Sequence, residues 1–291
     1  MTSEERERLI KEIQRKVLDN QAGVMETIEE MERYLTRLYQ RVGKDIVSLI
    51  LELNARMPSW TYIEASKYAR LVTLLDQINE ILNDLRAEEV SYVRQELEDI
   101  YEERYLRTIF LLGQYTAVTR SFDRIPKKFV KESVNYPWSG AMFSDRIWDN
   151  KELLLKNLRE GITQSLVLGE SMQKAADRIN KGINNSRFNA LRVARTEVMR
   201  VSYVAEAKAM ADNGIKRVQY LATTSDERTC EICGETHLKI FQLGKEVMLP
   251  RHPMCRCTYV PILDPISYND VNARTRAIRD ADDYPSWRDA Q

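Results

Sequence analysis

The 291-residue chain has little of what interrupts helices and little of what binds metals: 10 Gly, 8 Pro, 4 Cys and 2 His. So few Gly and Pro leave long stretches unbroken, which argues for a mostly helical protein. The chain also lacks an excess of either charge. Lys+Arg and Asp+Glu both number 44, a formal net charge of zero, which disfavours a protein whose bulk coats nucleic acid, because phosphate binding draws on surplus basic side chains. No apolar run approaches the ~20 residues needed to span a bilayer, so a soluble protein with no membrane partner is expected. The opening M-T-S-E-E-R-E-R-L-I does not resemble a signal peptide. A reducing compartment is therefore expected, and it disfavours disulfides. Also missing are a His-Glu-x-x-His motif and the βαβ surroundings of a redox Cys-x-x-Cys. A hydrophobic content of 43% is enough for one large or two small domains.

The scarce Cys and His are concentrated in one stretch, Cys230 to Cys257, which holds all six of them. Thiolate and imidazole are the ligands that tetrahedral Zn²⁺ prefers, and Cys230-x-x-Cys233 has the spacing that lets one turn present two thiolates to one ion. His252-Pro-Met-Cys255-Arg-Cys257 supplies the second half-site with three candidates for two positions. His252 and Cys255 repeat the first pair's spacing, whereas Cys257 points away from Cys255 if this segment is a strand. The expected metal ligands are Cys230, Cys233, His252 and either Cys255 or Cys257. His237, in mid-loop, is the weaker candidate. A closed site of this kind leaves no position for water, so the Zn²⁺ is expected to be structural rather than catalytic.

Helical periodicity covers most of what precedes. Ile10, Ile13, Val17, Val24, Ile28, Met31, Leu35, Leu38, Val42, Ile46, Leu49 and Leu53 recur at an average of about 3.6 residues, the period of a helix without supercoil. Gly23 and Gly43 are candidate breaks, and Pro58 is a stop. A second helical region runs from about Tyr62 to Tyr115, with an apolar stripe from Leu71 through Leu74, Ile78 and Leu82 to Leu85. Pro126, Pro137 and Gly140 then break the pattern. Trp138, Phe143 and Trp148 are close enough to pin this segment to a neighbour, and Ser144 or Asp145 is placed to cap the next helix. Helices resume to about Asn213, with splits expected at Gly161, Gly169 and 181–186, and a stop at Gly214. Arg217 to Thr223 reads as a strand, 224–229 as a polar turn delivering Cys230, and Phe241, 247–249 and 258–262 as further short strands.

The fold class expected is therefore α+β, predominantly helical. It has long N-terminal helices (1–121), a linker and central helical domain (122–213), a small β-containing zinc-binding module (214–263) and a polar tail (264–291). The tail reads as a flexible peptide or docking segment.

Four stretches carry a resemblance: W-S-G-A-M-F-S-D-R-I-W, R-V-A-R-T-E-V, G-I-K-R-V-Q-Y-L-A-T-T-S-D-E-R-T-C-E-I-C and P-R-H-P-M-C-R-C-T-Y-V-P. In this order and spacing, across roughly Trp138 to Pro261, the chain resembles the phage minor head (head morphogenesis) proteins related to the Mu F protein. The resemblance implies a minor capsid protein inside the virion head near the portal, made in the host cytoplasm. It implies a role in viral assembly and in genome packaging or delivery, with portal, capsid or scaffolding protein as partners and DNA as an open one. It does not imply an enzyme. Some relatives carry fused toxin or transferase domains, for which the residues after the zinc module are expected to be too few. One departure is Gly234-Glu235-Thr236-His237, where many relatives have a longer turn. Two other classes stand beside this reading. A metal-dependent nuclease would draw on Asp226, Glu227, His237 and His252, and a nucleic-acid-binding zinc protein on Arg228, Lys239, Lys245, Arg251 and Arg256.

Overall fold

A computed structural model describes residues 2–118, 125–222, 229–263 and 271–290. Helices dominate: α1 (Ser3–Ala55), α2 (Tyr62–Ser66) running through a 3₁₀ turn into α3 (Arg70–Gly113), α4 (Lys127–Val134), α5 (Phe143–Leu168) and α6 (Met172–Asp212). After them come β1 (Arg217–Leu221), α7 (Glu231–Gly234), β2 (Ile240–Gln242), β3 (Thr258–Pro261), α8 (Ala273–Asp280) and α9 (Tyr284–Asp289). The chain divides into two compact units, 1–28 with 96–136 and 195–291, and 29–95 with 137–194. Three of the four boundaries fall inside α1, α3 and α6.

The apolar stripe of α1 becomes core. Ile13, Val17, Val24, Ile28, Met31, Leu35, Leu38, Val42 and Ile46 are all buried, as a 3.6-residue period demands of a helix packed along one face. The helix passes Gly23 and Gly43 unbroken, because packing on either side outweighs the ~1 kcal/mol that a helical glycine costs. Gly161 and 181–186 are likewise helical, so of the expected splits only the one at Gly169 occurs, opening the short link 169–171 between α5 and α6. At Gly169 and Gly214 the backbone is left-handed, φ 59° and 76°. Glu170 N–H donates to the Ser165 carbonyl and Ile215 N–H to the Met210 carbonyl, the wrap-around bonds that close a helix at a left-handed residue. Neither Ser144 nor Asp145 is the cap of α5. Asp145 lies inside the first turn, and its carboxylate accepts from Met142 N–H at 3.0 Å.

In the second unit Phe143 is buried, whereas Trp148 is 40% exposed and covered by the Arg86 guanidinium. Beneath the helix surfaces of this unit Tyr39 Oη donates to Glu89 Oε2 at 2.9 Å, and Asn150 Nδ2 donates to the Ser186 carbonyl at 2.9 Å.

In the first unit a three-stranded antiparallel sheet of order β2-β1-β3 pairs Val218 with Phe241 and Pro261, and Tyr220 with Tyr259. Residues 247–249 form no strand. Of the tail expected to be a flexible peptide or docking segment, the described residues 271–290 are instead folded. Asn272 and Asp283 cap α8 and α9, accepting from Thr275 N–H and Ser286 N–H, and Tyr284 and Trp287 pack on Phe110 of α3 with ring centroids 5.7 and 5.5 Å away. Ile278 lies so close over Gly113 that a Cβ there would meet its Cδ1 at 2.4 Å. Ile278, Tyr284 and Trp287, scattered among charges, show no period of their own, and they become core because α3 offers Phe110 and the bare backbone of Gly113 to them.

Candidate metal centre

The first half-site is made by α7. Cys230 stands at its N-cap position, and its carbonyl accepts from Cys233 N–H at 3.1 Å and Gly234 N–H at 2.9 Å, which turns both sulfurs the same way. Arg251 Nη1 clips this turn by donating to the Ile232 carbonyl at 2.6 Å and Thr236 Oγ1 at 2.7 Å. The Gly234–His237 segment then reverses. Leu238, at φ 64°, donates its N–H to the Tyr220 carbonyl, and Tyr220 N–H donates to Lys239 O, so the loop is tied to β1.

The second half-site is a turn in which Cys255 N–H donates to the His252 carbonyl at 3.2 Å. Met254 at its apex has φ 63°, and its N–H donates to Thr196 Oγ1 of α6 at 3.4 Å. Cys257 immediately precedes β3, whose Thr258 pairs with Leu221.

The five candidate ligands fall into two overlapping groups. Cys230, Cys233 and His252 have donor atoms within 4.8 Å of one another, as do Cys233, Cys255 and Cys257, so Cys233 belongs to both groups. His252 Nε2 is 3.3 Å from Cys230 Sγ and 3.5 Å from Cys233 Sγ, while its Nδ1 is 2.9 Å from the Pro253 carbonyl. An Nδ1–H donating to that carbonyl leaves Nε2 as the lone-pair nitrogen, the tautomer a metal ligand needs. All four cysteines are unpaired thiols in this arrangement, three of them buried. A Cys/His cluster of this composition can hold a metal ion. His237 is not part of it, because its Nδ1 accepts from Ala222 N–H at 3.2 Å.

The electrostatics distinguish Cys255 from Cys257. The hydrogen bond from the Cys257 side chain pulls the Cys255 thiol down to about 5. Burial opposes this, and backbone N–H groups of Cys257 and Arg251 and the nearby His252 add to it. The same bond with Cys255, then burial, pushes Cys257 well above the ordinary thiol range. Burial also raises Cys233. A cleft of about 280 Å³ opens beside the cluster, lined by Arg195, Cys230, His252, Arg256 and Cys257 among others.

The alternative site residues fare differently. Asp226, Glu227 and Arg228 lie outside the described residues. Of the basic rim, Arg251 is engaged in the module's own turn. Glu197 of the A-R-T-E motif forms a buried ion pair with Arg200 at 2.7 Å, and Arg200 donates to the carbonyls of Ser133 and Val134 at the end of α4, both at 2.9 Å. The A-R-T-E stretch reads from sequence as a structural ion pair or hydrogen-bond brace, and Glu197 is in one, with Arg200 outside the motif as its partner. Two supports escaped the reading of the sequence: the buried Arg104–Glu206 pair whose carboxylate also accepts from Thr258 Oγ1, and Tyr220 beside the thiols. Only Tyr220 had a signal, since the i, i+2 alternation with Val218 turns both inward.

Residues 156–260 match the family described as Phage Mu protein F like protein. Over 259 residues, 82% of this chain, it is 26% identical to a protein of Enterococcus faecalis named NAD(+)--arginine ADP-ribosyltransferase EFV, of which the match covers 53%. Over 204 residues, 65% of this chain, it is 26% identical to Minor head protein GP7 of Bacillus phage SPP1, of which 66% is covered. The chain thus spans about half the length of the first relative and just under two thirds of the second. No solved structure matches it. No helix among the described residues is long and apolar enough to cross a membrane. The family match across the metal cluster and the likeness to a phage minor head protein make this part of the chain similar to the phage minor head proteins.

Proposed function

We propose that the chain acts as a structural component of the phage head: a low-copy protein bound near the portal, working in head assembly and in packaging or delivery of the genome through protein contacts and without turnover. The observation that carries this reading is the family match, which spans the metal cluster and the helix that braces it. The side chains with catalytic chemistry in that span support it. Glu197 is paired with Arg200, and His237 accepts from a backbone N–H. Nine residues of the N-terminal apolar stripe are buried within the chain itself, so that face is core and carries none of the proposed contacts. Co-purification of the full chain with portal protein tests the proposal. Retention insensitive to salt is expected, whereas capture by DNA alone, falling steeply as salt rises, would replace it with nucleic-acid binding.

The cluster is read as a structural Zn²⁺ site with Cys230, Cys233, His252 and Cys255 as ligands. Cys255 is preferred to Cys257 because its sulfur accepts backbone hydrogen bonds from Cys257 and Arg251, and because it repeats the spacing of the first pair. Zinc supplies the cross-link that a sheet this small needs in order to hold its two half-sites together. Metal analysis should give about one zinc per chain.

A further inference from the structure

Tyr220 sits on the central strand, wholly buried, among Cys233, Cys255 and Cys257 in the core of the first unit. Its ring is held edge-on by Tyr259, with centroids 5.3 Å apart at 85°. Tyr259 directs its own hydroxyl elsewhere, donating to the Val247 carbonyl at 2.7 Å. The Tyr220 hydroxyl is different. Among the described residues it has no hydrogen-bond partner of full geometry, and the polar groups it faces are the sulfurs of Cys233 and Cys257. A buried hydroxyl without a partner is costly, and a neutral thiol is a poor acceptor. A metal-bound thiolate is a charged acceptor and would satisfy it.

We infer that Tyr220 is a positioning residue of the metal centre, donating its hydroxyl proton to the metal-bound thiolate of Cys233. The inference rests on the metal reading above and deepens it. The bond takes charge density from the sulfur shared by both donor groups, and it fixes that sulfur against β1. Outer partners of this kind govern how tightly and in what geometry a ligand binds.

The test uses the full chain titrated with Co²⁺ and Zn²⁺, comparing wild type, Tyr220→Phe and the control Tyr259→Phe. Tyr220→Phe should bind metal about 10–100-fold more weakly. Its sulfur-to-cobalt charge-transfer band should move to lower energy, because a thiolate without its donor is the more electron-rich ligand. Tyr259→Phe should leave the band in place, as a purely structural role for a buried tyrosine would. A wild-type chain that binds no metal overturns the metal reading and this inference together. Metal-binding wild type with an unchanged affinity and band in Tyr220→Phe overturns this inference alone. If Tyr220→Phe does not fold, the wild type loaded with cadmium-113 decides the matter. A Tyr220 hydroxyl proton protected from exchange and coupled to the cadmium supports the bond, and its absence overturns it.

Discussion

Glu89 offers the sharpest perturbation in the helical second unit. Its side chain is 2% exposed, Oε2 accepts from Tyr39 Oη, and Oε1 has no partner among the described residues. Burial raises the carboxyl from the ordinary 4.5 to about 7, against a lowering by the Tyr39 hydroxyl. The folded chain therefore holds this proton at a higher pH than the unfolded chain does. Stability from the neutral acid is complete below about 4.5, declines as pH rises towards about 7, and is gone above it. At about 1.4 kcal/mol per tenfold change in acidity, the loss amounts to about 3 kcal/mol. Glu89→Gln keeps the size and stays neutral throughout, so its stability should not share that decline. Urea unfolding at pH 5 and pH 8 measures it: wild type should lose about 2.5 kcal/mol more than Glu89→Gln between the two, most of the whole. A carbon-13 titration of the Glu89 carboxyl should place its midpoint near 7. Parallel pH profiles for the two proteins would refute the argument, since a carboxylate charged in both states contributes no such slope.

Three further outcomes follow from the first unit. Cys255→Ser should lose the bound zinc on metal analysis while Cys257→Ala keeps it, and the reverse would move the fourth ligand to Cys257. Trp287→Ala should cost about 3–5 kcal/mol in denaturant unfolding by opening a cavity against Phe110 and Tyr284, whereas an unchanged midpoint would restore the flexible tail. Arg200→Met should cost about 3–5 kcal/mol because it strands the Glu197 carboxylate in the core. The double variant with Glu197→Gln should recover part of this in the same assay, which refutes the brace if it does not.

The elements legible in the sequence are those that local physics decides. The 3.6-residue stripe placed α1 and the buried positions of α3, because a helix that buries one face must repeat at that period. The two Cys/His half-sites were legible from spacing, since two donors within one turn need no knowledge of the rest of the fold. So was the weak standing of His237. The family resemblance rested on motifs in the same stretch, and the Mu F match confirms it.

Tertiary structure decided the rest. Whether Gly43 breaks a helix depends on the packing of the turns on either side, and here α1 continues through it. The fate of the tail depended on Phe110, more than 160 residues earlier in the chain, offering a surface to Tyr284 and Trp287. The preference for Cys255 over Cys257 proposed above rests on which sulfur receives backbone N–H groups, a property of chain geometry that spacing does not encode. The burial of the N-terminal stripe also separated a core face from a docking face. An apolar stripe reads the same in either case, and only the side chains that cover it tell them apart.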